Sequence, residues 1–388
     1  MKKKICLILL LLVLAPGPGM TAQGKSQAAI DVSGFDDSSH HWYDINDEEK
    51  TITPRADQKK YNKKQIAKIA DNILLYQKTN GGWPKNYDML AILTEDQRAA
   101  ILAAKSETNT TFDNGATHRQ VEYLAKAYHA TNDQRYKDGS VRGIDFILSA
   151  QYANGGWPQF YPDTSGYRKY ITFNDGAMGG VMSVLLQVEQ NKSWFSFLDA
   201  ERRAKVHAAF EKGLDCILRC QIRVGGKPTV WCQQHDNIDL RPQHARTFEL
   251  ASFCSMESAE IVTLLMRIDT PSADIVRAVD AAVQWFTENQ IRGIKVVTVD
   301  APPATFRFHS TKIDRVVKQD PNAPPTWTRF YELGAGRPLF CNRDGKPVYT
   351  LAEVERERRT GYAWYTDAPA DVLKKYPAWQ KRIALLNK

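Results

Sequence analysis

The sequence predicts an all-α dominated chain, a set of repeated helical hairpins with a segment rich in loops and short strands near its C-terminal end. Three observations carry this. A helix-ending cadence recurs, as Gln77-Lys78-Thr79-Asn80-Gly81-Gly82-Trp83-Pro84, Gln151-Tyr152-Ala153-Asn154-Gly155-Gly156-Trp157-Pro158, Gln221-Ile222-Arg223-Val224-Gly225-Gly226-Lys227-Pro228, and more faintly Gln290-Ile291-Arg292-Gly293. Its glutamines stand 74, 70 and 69 residues apart, an internal period. Each copy follows apolar residues at helical spacing: Ile66, Ile69, Ile73 and Tyr76; Val141, Ile144 and Leu148; Val206, Phe210, Leu214 and Ile217; Val276, Val279, Val283 and Phe286. Between copies lies one more helical pattern, at 118–130, 176–190 and about 256–268. Neither helix of such a pair can bury its apolar face alone. An α/α toroid and an open solenoid share this local signature, and the small repeat number favours closure.

The chain of 388 residues is 43% apolar, with 9 Trp, 16 Tyr and 15 Phe, enough for one large or two ordinary cores. Lys2-Lys3-Lys4 and the apolar run Ile5 to Leu14, ended by Pro16-Gly17-Pro18-Gly19, read as a secretory signal over 1–23. The expectation is export, to the periplasm or out of the cell, with no stable membrane span. Residues 24–55 read as a polar lead-in, and 56–388 as the main domain, with an irregular segment at 293–350. Five cysteines remain after the signal, allowing at most two disulfides, and Cys216 and Cys220 read as packing residues. The formal charge of +8 drops to about +5 without the three signal lysines. A solvated surface explains that, and it would also steer a polyanionic substrate. No nucleic-acid partner is expected, and the chain reads as a monomer.

Every A-helix ends at a glycine turn and every B-helix begins after a polar cluster, so these loops gather at one rim. Connections such as Thr131-Asn132-Asp133 keep the other end short. The first cluster is Thr111-Phe112-Asp113-Asn114-Gly115-Ala116-Thr117 and its echo is Thr172-Phe173-Asn174-Asp175-Gly176-Ala177-Met178. Simple N-capping of the following helices is one reading of both. The other is a site, since Asp113, Asn114, Asn174 and Asp175 are hard oxygen donors that suit Ca²⁺ over a transition metal. Two carboxylates are few for a calcium site unless the ligand supplies oxygens. Arg241, Arg246, Arg329, Arg337 and Arg343 stand in polar, aromatic loops, and guanidinium forks match carboxylates. His118, His235, His244 and His309 lack zinc spacing and read as structural. Trp83 and Trp157, with Tyr161 and Tyr167, either offer stacking surfaces for sugar rings or plug helix ends. The residues thus describe a site for an extended, anionic sugar, without choosing between elimination and hydrolysis.

A larger set of motifs resembles the polysaccharide lyase family 10 pectate lyases. It comprises Asn80-Gly-Gly-Trp-Pro-Lys85, Thr111-Phe-Asp-Asn-Gly-Ala-Thr117, Asn154-Gly-Gly-Trp-Pro-Gln159, Ile171-Thr-Phe-Asn-Asp-Gly-Ala177, Trp231-Cys-Gln-Gln-His-Asp236, Ala245-Arg246-Thr-Phe-Glu249 and Gly336-Arg-Pro-Leu-Phe340. The set runs in order from about residue 55 to 366. Ser252-Phe253-Cys254-Ser255 departs from the family's smaller, more polar segment. The resemblance implies an (α/α)₃ toroid and calcium-assisted β-elimination of polygalacturonate to 4,5-unsaturated oligogalacturonides. It implies that Asp113, Asn114 and Asp175 lie at calcium, and that Arg246 is the base, with Arg241 of the same loop as the alternative. Arg337, Asn174, Arg241, Trp157, Tyr161 and Trp83 are then expected on the substrate. Two rivals stay open: an α/α-barrel glycoside hydrolase using Asp113 and Asp175 as acid and base, and a glycan-binding protein without catalysis.

Overall fold

A computed structural model of the chain describes residues 28–46 and 49–386, so the signal reading lies outside the described residues. Eleven helices are described: α1 (Asp36–Asp44), α2 (Ile66–Tyr76), α3 (Glu95–Ala103), α4 (His118–Thr131), α5 (Gln134–Ser149), α6 (Ala177–Glu189), α7 (Ala200–Cys220), α8 (Ser255–Met266), α9 (Ala273–Glu288), α10 (Arg356–Gly361) and α11 (Ala368–Leu386). The predicted hairpins are α4–α5, α6–α7 and α8–α9, each packed as a pair. Within the inner row α4 meets α6 and α6 meets α8; in the outer row α5 meets α7 and α7 meets α9. Helix α2 packs on α4 and α5 as the first outer helix, and α11 lies across α8 and α9. The (α/α)₃ expectation holds.

The glutamine of the first three copies and the tryptophan that follows each helix end keep the same bonds from copy to copy. Gln77 Nε2 donates to the Gly81 carbonyl and across to Gly139, at 2.9 Å each. Gln151 does the same to Gly155 and Ala209 (3.0 and 2.8 Å), and Gln221 to Thr229 and Ala278 (2.9 Å each). Each glutamine therefore satisfies its own turn and ties it to the next outer helix. The indole Nε1–H groups of Trp83, Trp157, Trp231 and Trp327 close the orphan carbonyls of Ile73, Ile147, Ile217 and Phe286 at 2.7 to 2.9 Å. The glycines are obligatory: at Gly81 (φ 95°) a Cβ would lie 2.6 Å from the Arg142 carbonyl oxygen, and at Gly155 (φ 94°) 2.0 Å from that of Lys212.

Trp157→Phe keeps most of the packing and orphans the Ile147 carbonyl. We expect a loss of about 2 kcal/mol in urea unfolding, from the missing hydrogen bond and the smaller ring. A loss below about 0.5 kcal/mol would mean that the indole N–H does not hold the turn.

The lead-in is more ordered than its polar composition suggests. Helix α1 sends Trp42 into the core, with its Nε1–H on the Ile52 carbonyl at 2.8 Å, and Phe35 is buried beside it. Helix α3 also goes beyond the expectation; its start carries a Thr94/Gln97 capping box, a signal present in the sequence. The segment 293–350 departs most. Instead of short strands alone it holds a long antiparallel hairpin, Ile294–Thr305 with Ser310–Gln319, half-exposed on both faces. A hairpin without a buried face shows no hydrophobic alternation, which is why periodicity misses it. The five cysteines of the described residues are buried free thiols. Among these residues no helix is long and apolar enough to cross a membrane.

Candidate active site

The two polar clusters form successive 3₁₀ turns that touch at the rim, Asp113–Gly115 and Asn174–Gly176. Neither caps its helix: α4 and α6 start without a side-chain cap. That corrects the capping reading. Asn114 (φ 51°) and Asp175 (φ 48°) instead occupy the left-handed region, strain of about 1 kcal/mol or more that a fold retains where the side chain has a task.

A repeated donor approaches each cluster from two residues past each plugging tryptophan. Lys85 Nζ lies 2.6 Å from Asp113 Oδ2, and Gln159 Nε2 donates to Asp113 Oδ1 at 2.9 Å. Gln233 Nε2 donates to Asn174 Oδ1, which also accepts from Arg329 Nη2 at 2.7 Å. In the third copy Cys254 stands where Asp113 and Asn174 stand, so no carboxylate or amide is offered there. Its thiol donates to buried Glu257, which takes both Nε (3.0 Å) and Nη2 of Arg329. The guanidinium of Arg329 is thus fixed 3.9 Å from Asp175 Oδ1.

Arg246 is clamped by Glu249 through Nε (2.7 Å) and Nη2 (2.5 Å), and Tyr362 donates its hydroxyl to the same carboxylate at 2.8 Å. The Tyr362 ring lies under both guanidiniums, 5.7 Å from Arg246 and 4.7 Å from Arg329. Arg343 packs over the other aromatic beneath Arg246, Phe248, at 5.2 Å and is held bidentately by Glu357.

Electrostatics separate the acids. Burial pushes Asp175 up to about 7, the like charge of Asp113 adds to this, and Arg329 only partly offsets it. Burial would raise Asp113 too, but the Lys85 ammonium outweighs it and the net shift is down. Burial likewise opposes ionisation of Glu249, yet Arg246 holds it down to about 2. Desolvation would lower Arg246, but Glu249 more than offsets it and keeps the guanidinium well above its ordinary value.

The arrangement is two carboxylates and an amide beside fixed guanidiniums, and Asn114 and Asp175 also line a groove of about 690 Å³ along α4, α6 and α8. Comparison decides the family. The model of the pectic acid lyase family matches residues 77–373. The chain belongs to that family. Two solved structures of a family 10 polysaccharide lyase from Cellvibrio cellulosa align at 31% identity. One, with TM-score 0.69, covers 81% of this chain and 92% of that one. The other, a mutant in complex with trigalacturonic acid, has TM-score 0.68 and covers 80% and 92%. No curated protein matches. The protein is a polysaccharide lyase, which sets aside the hydrolase and the non-catalytic binding protein.

Within the lyase, Asp113, Asn114, Asp175 and Arg246 border one rim site, and Asn174 sits behind it. With its oxygen taken by Gln233 and Arg329 and its amide donating to Asp175 Oδ2 at 2.6 Å, Asn174 orients Asp175 and has no oxygen to spare for substrate. Trp83 and Trp157 are 0% exposed, so no sugar can stack on them; they are the helix plugs. Tyr161 is packed edge-on against Phe146. Tyr167 lies in the field of Arg246, Glu249, Lys85 and Asp113, and burial pushes its phenol up. Arg241 is 81% exposed and pairs with Asp239 on its own loop. Arg337 pairs with Glu332 at 2.7 Å and stacks on Tyr349. Neither pairs with the Asp113–Asp175 group. His235 is structural, its Nδ1 bonded to the Leu240 carbonyl, and burial lowers it to about 4.

Lys85, Glu257 and Tyr362 escape the motif reading as site residues. A signal existed for the donors. Trp83-Pro-Lys85, Trp157-Pro-Gln159, Trp231-Cys-Gln233 and Trp327-Thr-Arg329 are four copies of one pattern, with a polar group two residues after the plug.

Proposed function

We propose that this lyase is an exported enzyme that cleaves polygalacturonate by β-elimination, with calcium held by Asp113, Asn114 and Asp175 and Arg246 at the proton to be removed. The observation that carries the reading is the pair of rim carboxylates beside two clamped guanidiniums. Such a site is built to receive an anion and a cation together. The complex of the Cellvibrio enzyme with trigalacturonic acid supports a uronate substrate.

The donor set fits calcium. All candidate ligands are oxygens, and Asp175 is destabilised as an anion by burial and by Asp113, a conflict that a dication relieves. Asp113, Asn114 and Asp175 would hold the ion, and the substrate carboxylate would supply a further oxygen. When bound, calcium would neutralise that carboxylate and so acidify the neighbouring C5–H. The chain's own residues do the rest. Asn174 fixes the Asp175 carboxylate. Arg329, locked by Glu257, adds positive charge where the C5 carbanion develops. Tyr167 offers a ring face for a galacturonate unit. Arg246, aligned by Glu249, faces C5. It accepts a proton only after losing its own, and Glu249 opposes that loss, so the proton-transfer step belongs to alkaline pH.

The test is the ultraviolet absorbance of polygalacturonate incubated with the mature protein, with and without a calcium chelator. The expected result is absorbance that grows with calcium and stops on chelation, marking a 4,5-unsaturated product. Absorbance that ignores the chelator would remove calcium from the reading. No absorbance at all would move the substrate to another polysaccharide.

A further inference from the structure

The lead-in, which precedes the residues that the family model matches, reaches the rim site. Glu49 Oε2 lies 2.7 Å from Lys85 Nζ, the same ammonium that sits 2.6 Å from Asp113 Oδ2. Its other oxygen, Oε1, lies 2.6 Å from Arg168 Nη2, and Arg168 in turn pairs with Asp163. Charges therefore alternate outward from the rim as Asp113, Lys85, Glu49, Arg168 and Asp163. The inner end is sheltered, with side chains 3% exposed at Asp113 and 14% at Lys85, whereas Glu49 and Arg168 are each 32% exposed. The Phe160 ring lies beneath both cations, 5.3 Å from Lys85 and 4.3 Å from Arg168. The lead-in is anchored for this by the buried Trp42 and by Ser38, which donates to the Tyr87 carbonyl and accepts from its N–H.

We propose that Glu49 is a positioning residue that sets the cation affinity of the rim site by sharing Lys85 with Asp113. This rests on the calcium reading above. A dication at Asp113 meets an ammonium already on that carboxylate, and like charges repel steeply in a sheltered place. Glu49 gives Lys85 a second anion, so the ammonium can shift outward and still be paired. Without Glu49 the whole ammonium charge remains on Asp113 as a built-in competitor. Lys85 is thus the stand-in cation of the metal-free protein, and Glu49 is what lets it yield.

The experiment is calorimetric titration of Ca²⁺ into the mature protein, alone and saturated with uncleavable galacturonate monomer, as wild type, Glu49→Gln, Lys85→Gln and the double variant, with thermal unfolding to check folding. Glu49→Gln is expected to weaken calcium about 2- to 5-fold, the scale of one partly exposed ion pair. Lys85→Gln is expected to bind calcium at least as tightly as wild type, and adding Glu49→Gln to it should change nothing further. That last arm is decisive. A plain loss of negative potential near the site would weaken calcium with or without Lys85, whereas sharing acts only through Lys85. Equal weakening in both backgrounds, or no weakening in Glu49→Gln, overturns the inference alone. A wild-type protein that takes up no calcium either alone or with galacturonate overturns the calcium reading and this inference with it.

Discussion

Arg246→Lys is expected to lower turnover by about 10³-fold or more while the fold and KM change far less. The substitution keeps one positive charge, so it isolates what the planar fork does. In the native protein Nε and Nη2 both face Glu249, a two-point hold that leaves the rest of the guanidinium in one orientation. Lysine has a single ammonium on a flexible stem and cannot reproduce this. Alanine is the poorer test. It would leave Glu249, 2% exposed, as a buried carboxylate with its main cation gone, and such losses cost about 3–5 kcal/mol of stability. A lysine variant that kept most of its turnover would mean that Arg246 contributes charge only.

The pH profile of kcat separates the two roles further. Because Glu249 holds Arg246 well above its ordinary value, a base at this position is scarce at neutral pH. Turnover should then climb about tenfold per pH unit with no plateau short of protein unfolding. A flat alkaline profile would assign proton removal to another group and leave Arg246 as an electrostatic clamp.

Much of this was legible before any coordinates. The hairpin repeat, the rim position of the site and its acidic and arginine-rich character all follow from spacing, because each glycine turn and each Asp/Asn cluster is local in sequence. What sequence could not resolve is which copy of a motif faces the ligand. Trp83 and Tyr167 are both aromatic residues in rim loops, but one satisfies a helix carbonyl and the other stands in the field of the site's charges. Arg246, Arg329 and Arg337 look alike as letters. They differ in their partners, buried Glu249, buried Glu257 and half-buried Glu332, and pairings over distances such as the 72 residues between Arg329 and Glu257 leave no local trace. Helix α1 hid for another reason. With two apolar anchors in a polar stretch, its stability comes from where Trp42 and Phe35 land, and a hydrophobic stripe is absent.

Asp175→Asn should make the metal-free protein more stable at pH 8 while cutting calcium-dependent activity by at least about 10²-fold. The sign follows from the raised value. Asp175 titrates near 7 in the folded chain against an ordinary 3.8. Between those values folding takes up a proton, so stability falls as pH rises through that window, with the full penalty above 7 and none below 3.8. The shift would correspond to about 4 kcal/mol if taken whole. The carboxylate is 29% exposed and screened by solvent, so an increase of about 1–2 kcal/mol is expected. Asparagine fits the site: it tolerates the left-handed φ of 48° and can still accept from Asn174 Nδ2. Calcium should relieve the same penalty in the wild type, raising its Tm more at pH 8 than at pH 5, and should leave the variant's Tm nearly unchanged. Thermal unfolding of both proteins at the two pH values, with calcium or with chelator, measures all four terms. A variant no more stable than wild type at pH 8 would mean that Asp175 is not held under charge strain. Equal calcium stabilisation of both proteins would place the cation away from Asp175.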